Sequence, residues 1–147
     1  FAARRAALAG KKEMTTAEEI KTIFKDCKTI AVVGLSDNPA RPSYGVARYL
    51  QQQGFRIIPV NPKLTEVLGE KCYASLRDVP DKIDIVDCFR RSEEMLAIAQ
   101  DAVAVDAKCL WIQIGVINHE AAKIAQDGGL KVVLDKCTKI EFGRAVI

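Results

Sequence analysis

Residues 29–63, TIAVVGLSDNPARPSYGVARYLQQQGFRIIPVNPK, decide the fold. Residues 29–33 (TIAVV) form a short continuous apolar run that ends at Gly34, the pattern of a strand buried on both faces as parallel strands are. The turn-rich stretch 34–42 (GLSDNPARP) follows. From about Ser43, the positions Val46, Ala47 and Leu50 face one way, and Gly54 is a helix stop. Residues 55–60 (FRIIPV) make a second strand, in which Pro59 weakens the ladder beside it. Strand, helix and strand within so few residues imply a parallel pair joined by a helical crossover.

The same rhythm extends both ways. Thr16 and Glu19 make a capping box, and Ile20, Ile23, Phe24 and Cys27 form a helical stripe, so residues 17–26 are expected to be a helix. Between 61 and 82, Leu64, Val67, Leu68, Leu76 and Val79 anchor what are expected to be short helical turns. A third strand is expected over 83–89 (IDIVDCF) and a helix over 92–105 capped by Ser92. A fourth strand falls over 109–114 (CLWIQI). A helix capped by Asn118 runs to about Gln126, and a fifth strand covers 131–134 (KVVL). The pattern predicts an α/β chain with a Rossmann-like, doubly wound, parallel five-stranded sheet. Right-handed crossovers suggest strand order 3-2-1-4-5, with ligands expected at the carboxyl ends near the switch between strands one and four.

The chain has 147 residues, a length that suits one domain able to bury about two-thirds of its unfolded surface. Residues 1–13 hold Arg4, Arg5, Lys11 and Lys12 against Glu13 and so carry the whole net charge of +3. They are read as an N-terminal extension, flexible or helical, either extraneous or the remnant of a basic transit peptide, with Met14 a candidate initiator. Residues 14–147 are read as a single neutral domain, which gives no reason to expect nucleic-acid binding. No apolar run reaches the roughly 18 residues of a membrane helix. The five cysteines are widely spaced, with no C-x-x-C, against a disulfide framework or a zinc site and in favour of a reducing, cytoplasmic compartment.

The loops after the strands hold the candidate site. After the first strand, Gly34 admits close backbone approach, Ser36 and Arg41 suit phosphate oxygens, and the helix start at Ser43 and Tyr44 offers free amides. An ordinary capped turn explains the same residues. After the second strand, Asn61, Pro62 and Lys63 stand where an NAD-binding domain carries an acid for the ribose; Lys63 suits a ribose phosphate and tilts the choice toward NADP or coenzyme A, unless it is a plain surface lysine. After the third come Phe89, able to flank an adenine, then Arg90 and Arg91, suited to phosphates or to pairing with Glu93 and Glu94. Gln113 is polar in an otherwise apolar strand at the end that faces a ligand, whereas Trp111 is read as core.

Three stretches, GLSDNPARPSYGVARYLQQQGFRIIPVNP from residue 34, GEKCYASLRDVPDKIDIVDCFRRSEE from 69 and WIQIGVINHEAAKIAQDGGLKVVLDKCTKIE from 111, resemble the small stand-alone CoA-binding domain proteins. That family is similar to the CoA-binding N-terminal domain of the succinyl-CoA synthetase alpha subunit. The resemblance covers about residues 16–141, and its specific marks are P-V-N-P, F-R-R-S and W-x-Q-x-G. It implies CoA lying over the strand ends. The diphosphate would meet Gly34, Leu35, Ser36 and Arg41, the 3′-phosphate Asn61, Pro62 and Lys63, and the adenine Phe89 and Arg90. Gln113 would line the pantetheine path. Glu141 matches the family's late glutamate, but Phe142 stands where a basic residue or histidine often follows.

No nucleophile, base and orienting group stand together. His119, the one histidine, sits at a helix start and is expected on the surface; Cys137 is read as a packing residue. The expectation is therefore a module that binds CoA or acyl-CoA without catalysis, acting with a protein partner or as a homo-oligomer. The alternatives are a small NADP- or CoA-dependent enzyme and an interaction protein with a vestigial nucleotide pocket.

Overall fold

The computed structural model describes residues 15–146, so the reading of residues 1–13 lies outside the described part. Five helices and seven strands follow one another along it: α1 (Ala17–Asp26), β1 (Thr29–Val33), α2 (Pro42–Gln52), β2 (Arg56–Val60), β3 (Glu66–Val67), β4 (Glu70–Lys71), β5 (Ile85–Cys88), α3 (Met95–Ala104), β6 (Cys109–Ile112), α4 (His119–Asp127), β7 (Lys131–Val133) and α5 (Thr138–Ala145). The capping box forms as expected, with the Glu19 amide donating to Thr16 Oγ1 at 3.2 Å and the Thr16 amide to Glu19 Oε1 at 3.3 Å.

β2, β1, β5, β6 and β7 pair in that order, all parallel. Counted along the chain, the five sheet strands run 2-1-3-4-5 rather than the expected 3-2-1-4-5: the third strand lies beside the first, on the side away from the second. Pro59 accounts for the difference. Its carbonyl points outward, accepting from the Tyr73 amide at 3.0 Å, so its missing N–H falls on that same outer edge. Among the described residues that edge pairs with Tyr73 alone, whose carbonyl accepts from the Asn61 amide at 2.8 Å. β5, buried along its whole length, enters the centre instead. The switch in winding direction consequently falls between β1 and β5, not between strands one and four.

Alternate residues of each strand feed two cores. On one face Ala31, Val33, Val86, Leu110 and Ile112 meet the alanine-rich sides of α3 and α4. On the other, Ile30, Val32, Ile57, Ile85 and Trp111 meet α1, α2 and α5. The result is the doubly wound three-layer arrangement expected. Trp111 is buried as anticipated, and its indole N–H donates to the Lys136 carbonyl at 2.8 Å.

Three local expectations change. Residues 61–82 contain a small antiparallel hairpin, β3–β4, and one 3-10 turn (Leu76–Asp78), not a series of helical turns. Leu68 (φ 55°) and Gly69 (φ 77°) make its tight turn, and a leucine there masks the usual hairpin signal. Ser92 does not cap a helix; a 3-10 turn (Ser92–Glu94) precedes α3, and the Ser92 hydroxyl donates to the Ile117 carbonyl at 2.7 Å. The tail beyond β7 forms α5, whose Phe142 stands edge-on to Phe24 and Phe55, ring centres 5.3 Å apart in each pair.

At the opposite end of the sheet, Asp84 fastens the start of β1. Its Oδ2 accepts from the amides of Lys28 (2.8 Å) and Thr29 (3.1 Å). Burial raises its pKa, but these amides and Lys108 outweigh burial and hold it below the ordinary value. The depressed pKa means its stabilisation is present above the unfolded-state pKa and lost as pH falls through the folded one. Asp84→Ala should cost about 1–2 kcal/mol in urea unfolding at pH 7, with the difference from wild type shrinking in acid.

All five cysteines are free, and all but Cys137 are buried. Among the described residues no helix is long and apolar enough to cross a membrane, and no group of histidine, cysteine or carboxylate side chains is placed to hold a metal ion.

Candidate functional site

The loops at the switch point meet at Gly34. Its N–H donates to the Val60 carbonyl at 2.8 Å, and the Phe89 amide donates to the Val33 carbonyl at 2.8 Å. The ends of β2, β1 and β5 are thus laced together. A Cβ at position 34 would stand 2.5 Å from the Phe89 carbonyl oxygen and 3.1 Å from Arg90 Nε. The glycine, at φ +87°, is required both for its conformation and to admit the β5 loop. Arg90 accordingly lies over the first loop, with its Nε beside Gly34.

The first loop is held by its own short polar side chains. The Ser36 amide donates to Ser43 Oγ at 3.0 Å, the Asn38 amide to Ser36 Oγ at 3.0 Å, and the Ala40 amide to Asn38 Oδ1 at 2.9 Å. Ser43 is buried, so its hydroxyl shapes the loop. Leu35 is wholly buried in the core beside α2 and brings only its backbone to the site. Its carbonyl accepts from Asn61 Nδ2 at 3.0 Å, while Asn61 Oδ1 accepts from the Lys63 amide at 2.9 Å. Asn61 is therefore a clamp between the first and second loops. Arg41 precedes α2, and Pro42 at its first position brings no N–H, so the Ser43 amide is the first the helix presents. Tyr44 is half-buried at the same turn, Phe89 packs half-buried beyond β5, and Pro62 is exposed.

Arg41 and Lys63 are exposed and Arg90 is half-buried. Among the described residues none of the three forms an ion pair, nor does Arg91, so the pairing considered with Glu93 and Glu94 is not made. Glu94 instead accepts from the Arg91 amide at 3.3 Å. Uncompensated cations in loops at the ends of three adjacent strands suit a multiply phosphorylated ligand.

Gln113 is buried, and with it come two residues that sequence reasoning passed over. Its Nε2 donates to Asp87 Oδ1 and, at 3.0 Å, to Thr138 Oγ1; Thr138 in turn donates to Asp87 Oδ2 at 2.9 Å. Asp87 has no exposed surface. Burial pushes its carboxyl pKa up to about 7, against the pull of the Gln113 and Thr138 donors. The network ties β5, β6 and α5 together under the strand ends. Its signal was an acid inside the apolar run 83–89, on the face that carries Ile85, the same kind of mark that singled out Gln113.

His119 is exposed at the start of α4, and Asn118 Oδ1 accepts from the Ala121 amide at 2.9 Å as a cap. Glu141 is largely covered and pairs with Arg144 at 2.9 Å. Cys137 is half-buried against the α5-side core.

A doubly wound parallel sheet whose switch point carries a close, glycine-dependent approach of two loops, a helix N-terminus and uncompensated cations defines a Rossmann-like domain suited to phosphorylated ligands. The chain belongs to the CoA-binding domain family, whose model matches residues 28–143. It is 44% identical over 122 residues to the protein YneT of Bacillus subtilis, covering 83% of this chain and 90% of that one. A solved structure from Pyrococcus horikoshii OT3 superposes with a TM-score of 0.88 at 40% identity, over 90% of this chain and 94% of that one. The ADP-forming acetate–CoA ligase II of Archaeoglobus fulgidus is 36% identical over 72 residues, which are 48% of this chain and 10% of the ligase.

Proposed function

We propose that this chain binds coenzyme A or an acyl-CoA across the ends of β2, β1 and β5, as a binding, sensing or partner module in a cytoplasmic setting. The observation that carries this reading is the set of cations without ion pairs, Arg41, Lys63 and Arg90, on loops laced together around Gly34. The donor set fits the ligand. CoA bears a diphosphate and a ribose 3′-phosphate; guanidinium forks suit the first and the Lys63 ammonium the second. The Ser43 amide and the dipole of α2 favour the same negative charge. Bound CoA would supply the thiol on which acyl groups are carried. The match to part of an acetate–CoA ligase supports the ligand class.

A non-catalytic role is favoured by the condition of two acids on β5 and α5, Asp87 and Glu141. Asp87, whose pKa is raised towards neutrality, has no exposed surface from which to reach a substrate. Its partners are the buried Gln113 and Thr138, neither of them a base. Glu141 is held by Arg144.

Calorimetric titration with CoA, dephospho-CoA and NADP at fixed low salt tests the reading. CoA should bind in the micromolar range and dephospho-CoA at least about tenfold more weakly, a gap of about 1.4 kcal/mol. Lys63→Ala should close that gap. Equal binding of CoA and dephospho-CoA would remove Lys63 from the site. Stronger binding of NADP would move the reading to a dinucleotide enzyme, and no binding at all to an interaction protein.

A further inference from the structure

Four of the loops at the carboxyl end of the sheet carry charge: Asp37 and Arg41 after β1, Lys63 after β2, Arg90 and Arg91 after β5, Asp135 and Lys136 after β7. The fifth, residues 113–118 (QIGVIN) after β6, carries none. It also bears two of the most exposed large apolar side chains of the described residues, Ile114 at 64% and Ile117 at 49%.

This loop is not slack. The Gly115 amide donates to Asp135 Oδ1 at 2.6 Å, and the Val116 amide to the Gln113 carbonyl at 3.2 Å. The Ile117 carbonyl accepts from the Ser92 hydroxyl at 2.7 Å, and Asn118 Nδ2 donates to the Ser92 carbonyl at 2.8 Å. Pinned on both sides, the loop holds its isoleucines out of the core at a standing cost in apolar hydration. Through Ser92 it is fastened to the segment that carries Phe89 and Arg90. The carboxyl end of the sheet therefore carries cations over β2, β1 and β5 and turns apolar over β6, where the Asp135 carboxylate is taken up by the Gly115 amide.

We infer that Ile114 and Ile117 form the acyl-chain contact of this site, so that the physiological ligand is a CoA thioester of an aliphatic acid and not free CoA. The inference rests on the CoA reading above. It matches a ligand that is anionic at one end and apolar at the other to strand-end loops polarised the same way. An aliphatic chain laid on the isoleucines would cover surface that the fold leaves wet.

The test is calorimetric titration with CoA and with straight-chain acyl-CoAs of two, four and six carbons, in wild type and in an Ile114→Ser/Ile117→Ser double variant, with the oligomeric state followed by sedimentation. A fully buried CH2 contributes about 0.8 kcal/mol, roughly fourfold in affinity. For a chain half covered on an open loop, the six-carbon thioester should bind about tenfold more tightly than the two-carbon one. The double variant should lose this slope. A flat slope in wild type, with CoA itself bound, overturns the acyl contact and leaves the CoA reading standing. A slope that survives in the double variant assigns the chain contact elsewhere and also overturns it. A wild-type dimer that dissociates in the variant, with the slope unchanged, assigns the isoleucines to a subunit interface instead. If neither CoA nor any thioester binds, both readings fall together.

Discussion

Gly34→Ala is expected to destabilise the protein by on the order of 3 kcal/mol and to remove CoA binding from the molecules that remain folded. Two costs combine. Position 34 sits at φ +87°, where a side chain costs about 1–2 kcal/mol. The new Cβ would also meet the Phe89 carbonyl oxygen at 2.5 Å, and that atom belongs to the backbone. Neither side can yield cheaply: Gly34 is bonded through its amide to Val60, and Phe89 through its amide to Val33. Relief requires parting the β1 and β5 loops, the same movement that carries Arg90 away from the first loop. Gly54 supplies the control, since it has φ +100° but nothing within 4 Å of its would-be Cβ. Gly54→Ala should therefore show the conformational cost alone. Urea unfolding of the two variants beside wild type decides the matter; equal losses would mean that close approach at Gly34 contributes nothing.

The second large effect is a dependence of stability on pH that runs opposite to the usual behaviour of carboxylates. Asp87 titrates near 7 in the folded protein, because burial disfavours its charge more than its two donors favour it. Unfolded, it titrates near the ordinary value of about 3.9. The folded state thus holds a proton that the unfolded state releases between these values. The associated stability is full below about pH 4 and is lost as pH rises through about 7, amounting to roughly 2–4 kcal/mol by pH 8. Asp87→Asn should flatten that slope. Its amide keeps an acceptor for the Thr138 hydroxyl, and a turned Gln113 amide can accept from its new N–H. Asp87→Ala should instead leave Gln113 and Thr138 buried without their partner, cost several kcal/mol, and loosen α5. Urea unfolding at pH 5, 7 and 8.5 reads all three proteins. Parallel pH curves for wild type and Asp87→Asn would show that the carboxyl does not titrate in this window. Asp84 does not confuse the measurement, because its lowered pKa places its own loss in more acid solution.

Much of the architecture could be read without coordinates. The capping box at Thr16 and Glu19, the continuous apolar runs of the sheet strands, the Asn118 cap and the burial of Trp111 are consequences of neighbouring residues, and each appears where it was expected. Pro59 also carried its message, weak pairing on one side, but not the further step that the weak side would be the sheet edge. The hairpin at 66–71 was hidden by Leu68, a residue that rarely takes left-handed backbone.

At the candidate site, the sequence pointed to loops and polar side chains but not to the direction in which each side chain points. Arg41 and Lys63 are exposed at the strand ends, whereas Leu35, Ser43 and Gln113 turn inward and Asn61 serves as a clamp. The direction of a side chain depends on pairings made over long separations. Asp87 meets Thr138 across 51 positions and Gln113 across 26. Helix and strand follow from apolar periodicity, caps and turn residues because those forces act within one turn or one pleat of the chain. Which strand lies beside which, which polar groups are sealed and which loop is left apolar were decided only when distant segments competed for the same edges and the same core.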